Sequence, residues 1–404
     1  MDLKSGYPFW AIKNGLMYVF PQLRQDRHCD VAVIGGGISG ALIANELAEH
    51  GHDVVVVEQR DIGWGSSAAS TALLQYEIDT HMTELAARFG EADAVLAYRA
   101  CADAIGLLQA LAGEVRDVDF ACMRSLYYAS RRRDVEVLRA EFALRRKHGL
   151  DVSWVGAAGL HADYGIDAPG AILSQLAARI DPYRMAWRLF ERLEKRGSGV
   201  FDRTCIERIT AGTRGVTLHT GDGVRLRAGH AVFAAGYASQ HWLEQRVASN
   251  RSSYAFITDP LDPARLRGLT DTMAWESARP YLYLRSTGDG RLLVGGEDDA
   301  IDIPSRRDAR VDSKARRLVR KVARAIPGLA LEPAFAWAGT FAETDDGLPF
   351  FGPHPQYGPR VQFAMAYGGN GITYSMLGAG LLRALIERRR HPLAKLFSFE
   401  RQDR

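Results

Sequence analysis

The sequence predicts a mixed α/β protein in two parts, one built on a parallel βαβ unit and one built from antiparallel strands. Three observations predict it. The apolar run Val31-Ala32-Val33-Ile34 meets glycines at positions 35, 37 and 40 and then a helical pattern, Ala41 to Glu49. A second apolar run, Val54-Val55-Val56-Val57, follows one turn later. Residues 252–300 abandon that rhythm and alternate as β-hairpins do.

The G-x-G-x-x-G of the first observation assigns each glycine a task. Gly35 permits the tight strand-to-helix turn, Gly37 lets backbone approach a pyrophosphate, and Gly40 lets helix pack on strand. With Ile38 and Ser39, the start of the helix offers free N–H groups and a positive dipole end to phosphates. Glu58 closes the second strand 18 residues after Gly40, with Gln59 beside it, where a carboxylate accepts hydrogen bonds from a ribose diol. A dinucleotide is expected here. NADP is disfavoured, because Glu58 repels a 2′-phosphate even with Arg60 nearby.

The chain has 404 residues, 47% hydrophobic and 25% charged, enough for a large core and two domains. A net charge of +3 gives no basis for a nucleic-acid partner. The basic clusters at 131–133, 145–147 and 388–390 read as solvated helix faces. Four cysteines (29, 101, 122 and 205) lie far apart, so neither a metal site nor a disulfide framework is expected, and a cytoplasmic setting is. No run approaches 18 uninterrupted apolar residues, so no membrane-spanning helix is expected, and residues 1–27 lack a signal-peptide pattern.

Residues 1–28 are too aromatic for a loose tail (Phe9-Trp10, Tyr18-Val19-Phe20) and are expected to pack on the body. The small residues and hydroxyls of Gly63–Ala72 let backbone pass close to a phosphate or sugar alcohol. Residues 81–150 are helical in period, followed by strands near 125–129 and 152–155. Pro182 opens a helix that Gly197 ends. Strands follow at 204–209 and 216–220, and Ala231–Gly236 is a buried strand running into a glycine. Tyr281–Arg285 and Arg291–Gly296 pair as a hairpin around Gly288-Asp289-Gly290. Asp312 to Ile326 is a basic amphipathic helix. A last strand, Val361 to Ala366, leads to a second glycine-rich helix start, Gly368-Gly369-Asn370-Gly371, and a helix at 375–388.

From about Asp30 to about Leu385 the chain resembles the FAD-dependent D-amino acid oxidase superfamily, which includes glycine and sarcosine oxidases. The resemblance rests on the first glycine turn with Glu58, the 63–71 loop, Ile180-Asp181-Pro182, Ala234-Ala235-Gly236, Asp346-Gly347-Leu348-Pro349 and Gly368–Thr373. It implies a Rossmann-like FAD-binding domain (29–80, 170–245 and 335–390) interleaved with an antiparallel-sheet substrate domain (81–169 and 246–334), the flavin lying between them. Glu58 then holds the adenosine ribose, and Ser66, Ser67, Ser70 and Thr71 line the pyrophosphate and ribityl region. Cys205 stands where the family usually has a valine whose backbone pairs with adenine, and Ala235 and Gly236 pack on the cofactor. Gly339, Leu348, Gly369, Asn370, Gly371, Ile372 and Thr373 surround the ribityl chain and the pyrimidine edge of the flavin.

Departures from the family carry their own expectations. Gly339-Thr340-Phe341-Ala342 has no arginine where D-amino acid and glycine oxidases often show G-x-R-P. Gly339 stands near where sarcosine oxidases attach flavin through a cysteine, so FAD is expected to be non-covalent. Leu293 stands roughly where that group has a lysine that assists reaction with oxygen.

The function expected from the resemblance is hydride transfer to flavin N5 from the C–H beside nitrogen of an amino acid or secondary amine, with oxygen, a quinone or another carrier as acceptor. Alternatives are a flavin dehydrogenase of a 2-hydroxy acid or polyol phosphate, and a non-catalytic FAD-binding subunit of a larger complex. A carboxylate-bearing substrate calls for a bidentate arginine, with Arg279 and Arg285 as candidates. Tyr254 and Tyr283 are candidates to cap the flavin or bond the substrate, and His81 and Tyr76 to reach its substrate side. Surface strand arginines, sheet-core tyrosines and a histidine at a helix start fit the same patterns. No residue is singled out as catalytic.

Overall fold

Val31–Ile34 and Val54–Val57 present no polar side chain to water, and both runs are buried on each face, as parallel strands covered by helices are. A computed structural model describes residues 2–365 and 367–403. It sets the two runs side by side in parallel, with Ile34 opposite Val57. They lie within an eight-stranded sheet in the order Phe350–Pro353, Val361–Met365, Arg225–Phe233, Arg27–Ile34, Val54–Val57 and Gly199–Phe201. The antiparallel pair Ile206–Ala211 and Val216–Thr220 extends from Arg225–Phe233. From Val361–Met365 to Gly199–Phe201 the pairing is parallel throughout. Ala366, expected as the last residue of its strand, lies outside the described residues.

The helix between the first two strands, Ile38–Glu49, packs against Pro182–Lys195 and Gly371–Ile386. It begins three residues earlier than apolar periodicity implies, because Gly37 itself is the flanking residue. Gly371–Ile386 likewise starts at the second glycine turn and not at Ser375. Pro182–Lys195 is capped by Asp181, whose carboxylate accepts from Arg184 N at 2.9 Å.

A second, nine-stranded sheet runs Phe335–Glu343, Ser249–Ile257, Leu292–Asp299, Leu282–Ser286, Thr272–Glu276, Ala121–Tyr128, Gly170–Arg179 and Leu73–Gln75, and Val152–Gly156 also pairs with Gly170–Arg179. It is antiparallel except where Thr272–Glu276 runs parallel to Ala121–Tyr128. Like Leu73–Gln75, the strands Gly170–Arg179 and Phe335–Glu343 belong to this sheet, although the resemblance groups their ranges with the cofactor part. Both are strands with neighbours on each side or at an edge of this sheet, and their ladder hydrogen bonds are satisfied there.

Glu91–Val115 is long and apolar enough to cross a membrane by length and composition. Its stripe of Ala94, Ala97, Tyr98, Cys101, Ile105 and Leu108 is buried in the core, against Met82–Phe89 and Gly371–Ile386. The N-terminal residues close over the cofactor loop. Trp10 is fully buried and donates to Ser70 O at 2.7 Å, and the buried Arg307 donates to Asp2 O and Lys4 O.

Candidate active site

The first glycine turn lies at the carboxyl ends of the parallel strands, where open α/β sheets bind their ligands. Gly35 has φ +124°, and a Cβ there would stand 2.4 Å from Ala234 O. A Cβ on Gly40 would stand 1.9 Å from Gly35 O. Gly37 leads into the helix, whose first N–H, on Ile38, donates to Ser67 Oγ at 2.8 Å. Glu58 accepts from Gly36 N at 2.7 Å and Arg60 N at 2.9 Å. Burial pushes its carboxyl up, against the pull of these N–H groups and of Arg60.

From this turn a cavity of about 610 Å³ runs to the larger sheet. Gly35, Gly37, Ile38, Ser39, Glu58, Gln59 and Cys205 line one end. Ser66, Ser67, Ser70 and Thr71 line its middle, with Ala235, Gly236 and Gly339. Gly369, Asn370, Gly371 and Ile372 line the far part, with Tyr254 and Tyr283 from the larger sheet. The loop is pinned from several sides: Trp337 Nε1 donates to Ala69 O at 2.8 Å and Ser66 Oγ to Thr340 O at 3.2 Å.

Seven expected residues do not line the cavity. Gly40 serves the helix–strand contact. Leu348 is buried behind the wall, and Thr373 donates its hydroxyl to Gln75 O at 3.2 Å. Arg285 is fully buried and donates to Thr71 O at 2.7 Å, Ser286 O at 3.0 Å and Ile180 O at 3.2 Å. It fixes the cofactor loop, and burial lowers its pKa to about 10. Arg279 sits at the rim, half exposed, over the Tyr281 ring and 3.7 Å from Glu343. His81 bonds Tyr127 Oη at 2.9 Å, and burial lowers its pKa. Tyr76 turns into the core beside Tyr98 and Arg145.

Sequence reasoning missed the acids of the far end. Glu77, Asp79, Asp298 and Glu343 all line the cavity, as does Trp275. Asp79 Oδ2 accepts from Gly369 N at 2.8 Å, and Asn370 Nδ2 donates to Glu77 O at 2.6 Å, so this segment is tied to the second glycine turn. Burial pushes Asp79 up, with Gly369 N–H and Arg279 pulling it back. Burial, aided by the Asp79 and Glu343 charges, pushes Asp298 up to about 6. A signal was present: Gln75, Glu77 and Asp79 alternate with the apolar Tyr76 and Ile78 in the sequence, and all three polar residues line the cavity while Tyr76 and Ile78 do not.

A phosphate-type glycine turn, a carboxylate closing the next strand and a long cavity ending at a second glycine-rich helix start define a dinucleotide-dependent oxidoreductase. The family model described as FAD dependent oxidoreductase (DAO) matches residues 30–385. The chain belongs to that family, and FAD is its cofactor. The residues present fit the group: a glycine cradle with no room for a Cβ at Gly35, a ribose-seeking carboxylate at Glu58 and a cavity that spans both glycine turns.

The chain is 26% identical to the glycine oxidase of Geobacillus kaustophilus, over 89% of this chain and 93% of that protein. It is 24% identical to the gamma-glutamylputrescine oxidoreductase of Escherichia coli, over 94% and 88% of the two chains. The crystal structure of glycine oxidase from Geobacillus kaustophilus shares the fold with a TM-score of 0.78 at 22% identity, covering 92% of this chain and 98% of that one.

Proposed function

We propose that this chain oxidises the C–H beside nitrogen of a small amine or amino acid. FAD, when bound, supplies the acceptor for the hydride, which passes to its N5 and leaves an imine that water hydrolyses. The observation that carries the reading is the single cavity linking Glu58 to the far wall of Tyr254, Tyr283 and Asp298, so that cofactor and substrate share one space. The smaller sheet with its helices forms the cofactor domain in this reading, and the larger sheet the substrate domain.

Glu58 takes the ribose hydroxyls and Ser67 the pyrophosphate, while Gly371 and Ile372 present N–H groups and a positive helix end to the pyrimidine edge of the flavin. The larger sheet closes that end against water and orients the substrate C–H, and positioning with an unprotonated amine suffices for the transfer. FAD is held without a bond to cysteine, since Cys205 lines the adenosine end and the other three cysteines lie off the cavity. Oxygen, a quinone or another carrier removes the electrons, and the four free cysteines fit a cytoplasmic setting.

Anaerobic mixing of the holoenzyme with amines and amino acids should bleach the flavin. Bleaching by 2-hydroxy acids or polyol phosphates alone, or by none of these compounds, overturns the reading. Glu58→Gln should weaken FAD binding about 10- to 100-fold, the worth of one charge-assisted hydrogen bond. Fluorescence titration of the apoprotein with FAD measures it, and unchanged affinity removes Glu58 from the ribose.

A further inference from the structure

The far end of the cavity is acidic and aromatic. Trp275, Tyr281 and Tyr283 line one part of it, and Glu77, Asp79, Asp298 and Glu343 line the same space. Among the described residues, the basic ones that line the cavity are Arg60 and His241, and Arg60 lies next to the Glu58 carboxylate at the other end.

The acids are unequally compensated. Glu343 pairs with Arg251 at 3.0 Å and Arg279 at 3.7 Å. Asp79 accepts from Gly369 N and has the Arg279 charge nearby. Asp298 has no cation of its own: the Ser253 hydroxyl hydrogen-bonds its carboxylate, and its Oδ1 is buried without a hydrogen bond. Lys314, whose charge reaches it, is held by Glu297 and Asp299 at 3.7 and 3.3 Å. Glu77, 3% exposed, is compensated from behind the wall, where its Oε1 lies 3.9 Å from the fully buried Arg145 and Ser125 hydrogen-bonds the carboxylate. A buried carboxylate oxygen without a partner on Asp298, beside the Asp79 carboxylate in a space walled by aromatic faces, is a site for an ammonium group.

Resting on the amine-oxidation reading above, we propose that the substrate is a diamine or polyamine: one nitrogen beside the oxidised carbon, a second that stays protonated in this acidic end, and no carboxylate. The two nitrogens need opposite surroundings. The one beside the oxidised C–H must give its lone pair to the new C=N bond and so must be unprotonated, which a neighbouring carboxylate opposes. The acids therefore serve the other. An α-amino acid would bring its carboxylate against Asp298 and Asp79 and find Arg279 already engaged.

The test is anaerobic bleaching of the wild-type holoenzyme by butane-1,4-diamine and spermidine, compared with butylamine, glycine and alanine of both hands. The diamine should exceed butylamine by about 10-fold or more in kcat/KM, as a buried charge pair implies. Asp298→Asn should shrink that preference about 10-fold, chiefly through KM, with the flavin spectrum retained. Faster bleaching by the amino acids than by the diamines overturns the inference and leaves amine oxidation standing, as does an Asp298→Asn variant that keeps the full preference. Bleaching by hydroxy acids alone overturns amine oxidation and this inference with it.

Discussion

Gly40→Ala is expected to purify without flavin colour and to unfold more easily than the parent. The added methyl carbon would lie 1.9 Å from Gly35 O, a backbone atom at the end of a buried strand, so no side-chain rotation relieves the contact. Either the Ile38–Glu49 helix moves off its strand or the turn opens. Both outcomes destroy the cradle, and overpacking against backbone costs about 1–3 kcal/mol or more. Gly380→Ala is the control, since nothing lies within 4 Å of a Cβ there and alanine gains about 0.5–1 kcal/mol in a helix interior. An absorbance spectrum and a thermal melt of the two variants decide the matter, and full flavin occupancy in Gly40→Ala would show that the turn tolerates the shift.

This turn was legible because its constraints are local in the chain. The strand, its glycines and Glu58 lie within about one βαβ unit, where spacing alone specifies the contact. The second glycine turn was legible for the same reason. Gly170–Arg179 was not. Its sequence, Gly-Ala-Ile-Leu-Ser-Gln-Leu-Ala-Ala-Arg, is rich in helix formers, and its extended form comes from pairing with Ala121–Tyr128 and two further strands.

Side-chain roles failed in the same way when the partner was distant. Arg285 looks like a carboxylate clamp until its partners are seen: Thr71 O is 214 residues away and Ile180 O is 105. Its charge is consumed by backbone carbonyls, a use no spacing announces. The acids were hidden for a related reason. Asp79, Asp298 and Glu343 come from three remote strands or loops, and each alone reads as a surface carboxylate. Brought together around one cavity, they reverse the expected polarity of the substrate end, from an arginine clamp to a cation site.

Arg145→Leu is expected to cost about 3–5 kcal/mol, because it strands buried carboxylates. Arg145 and Glu141 are both fully buried, with Nε donating to Oε1 at 2.7 Å. Glu141 also accepts from Met82 N at 2.9 Å, Thr83 N at 3.0 Å and Tyr98 Oη at 3.2 Å, so it satisfies the free N–H groups that open Met82–Phe89. Burial alone would raise the Glu141 pKa, and the Arg145 charge with His81 and these N–H groups overcomes it and holds it at about 2. A carboxyl whose folded pKa lies below its unfolded value near ~4.3 stabilises fully above that value and progressively less as pH falls towards about 2. The deficit of Arg145→Leu should therefore be largest at about pH 7 and shrink at about pH 3, read by urea unfolding of parent and variant at each. Equal deficits would mean that Arg145 acts by filling volume. Glu77 ties the outcome to the cavity: it loses its cation in the same variant, and its backbone carbonyl is the acceptor that holds Asn370 at the second glycine turn. Weakened FAD binding should accompany the lost stability, in a variant whose changed residue lies outside the cavity.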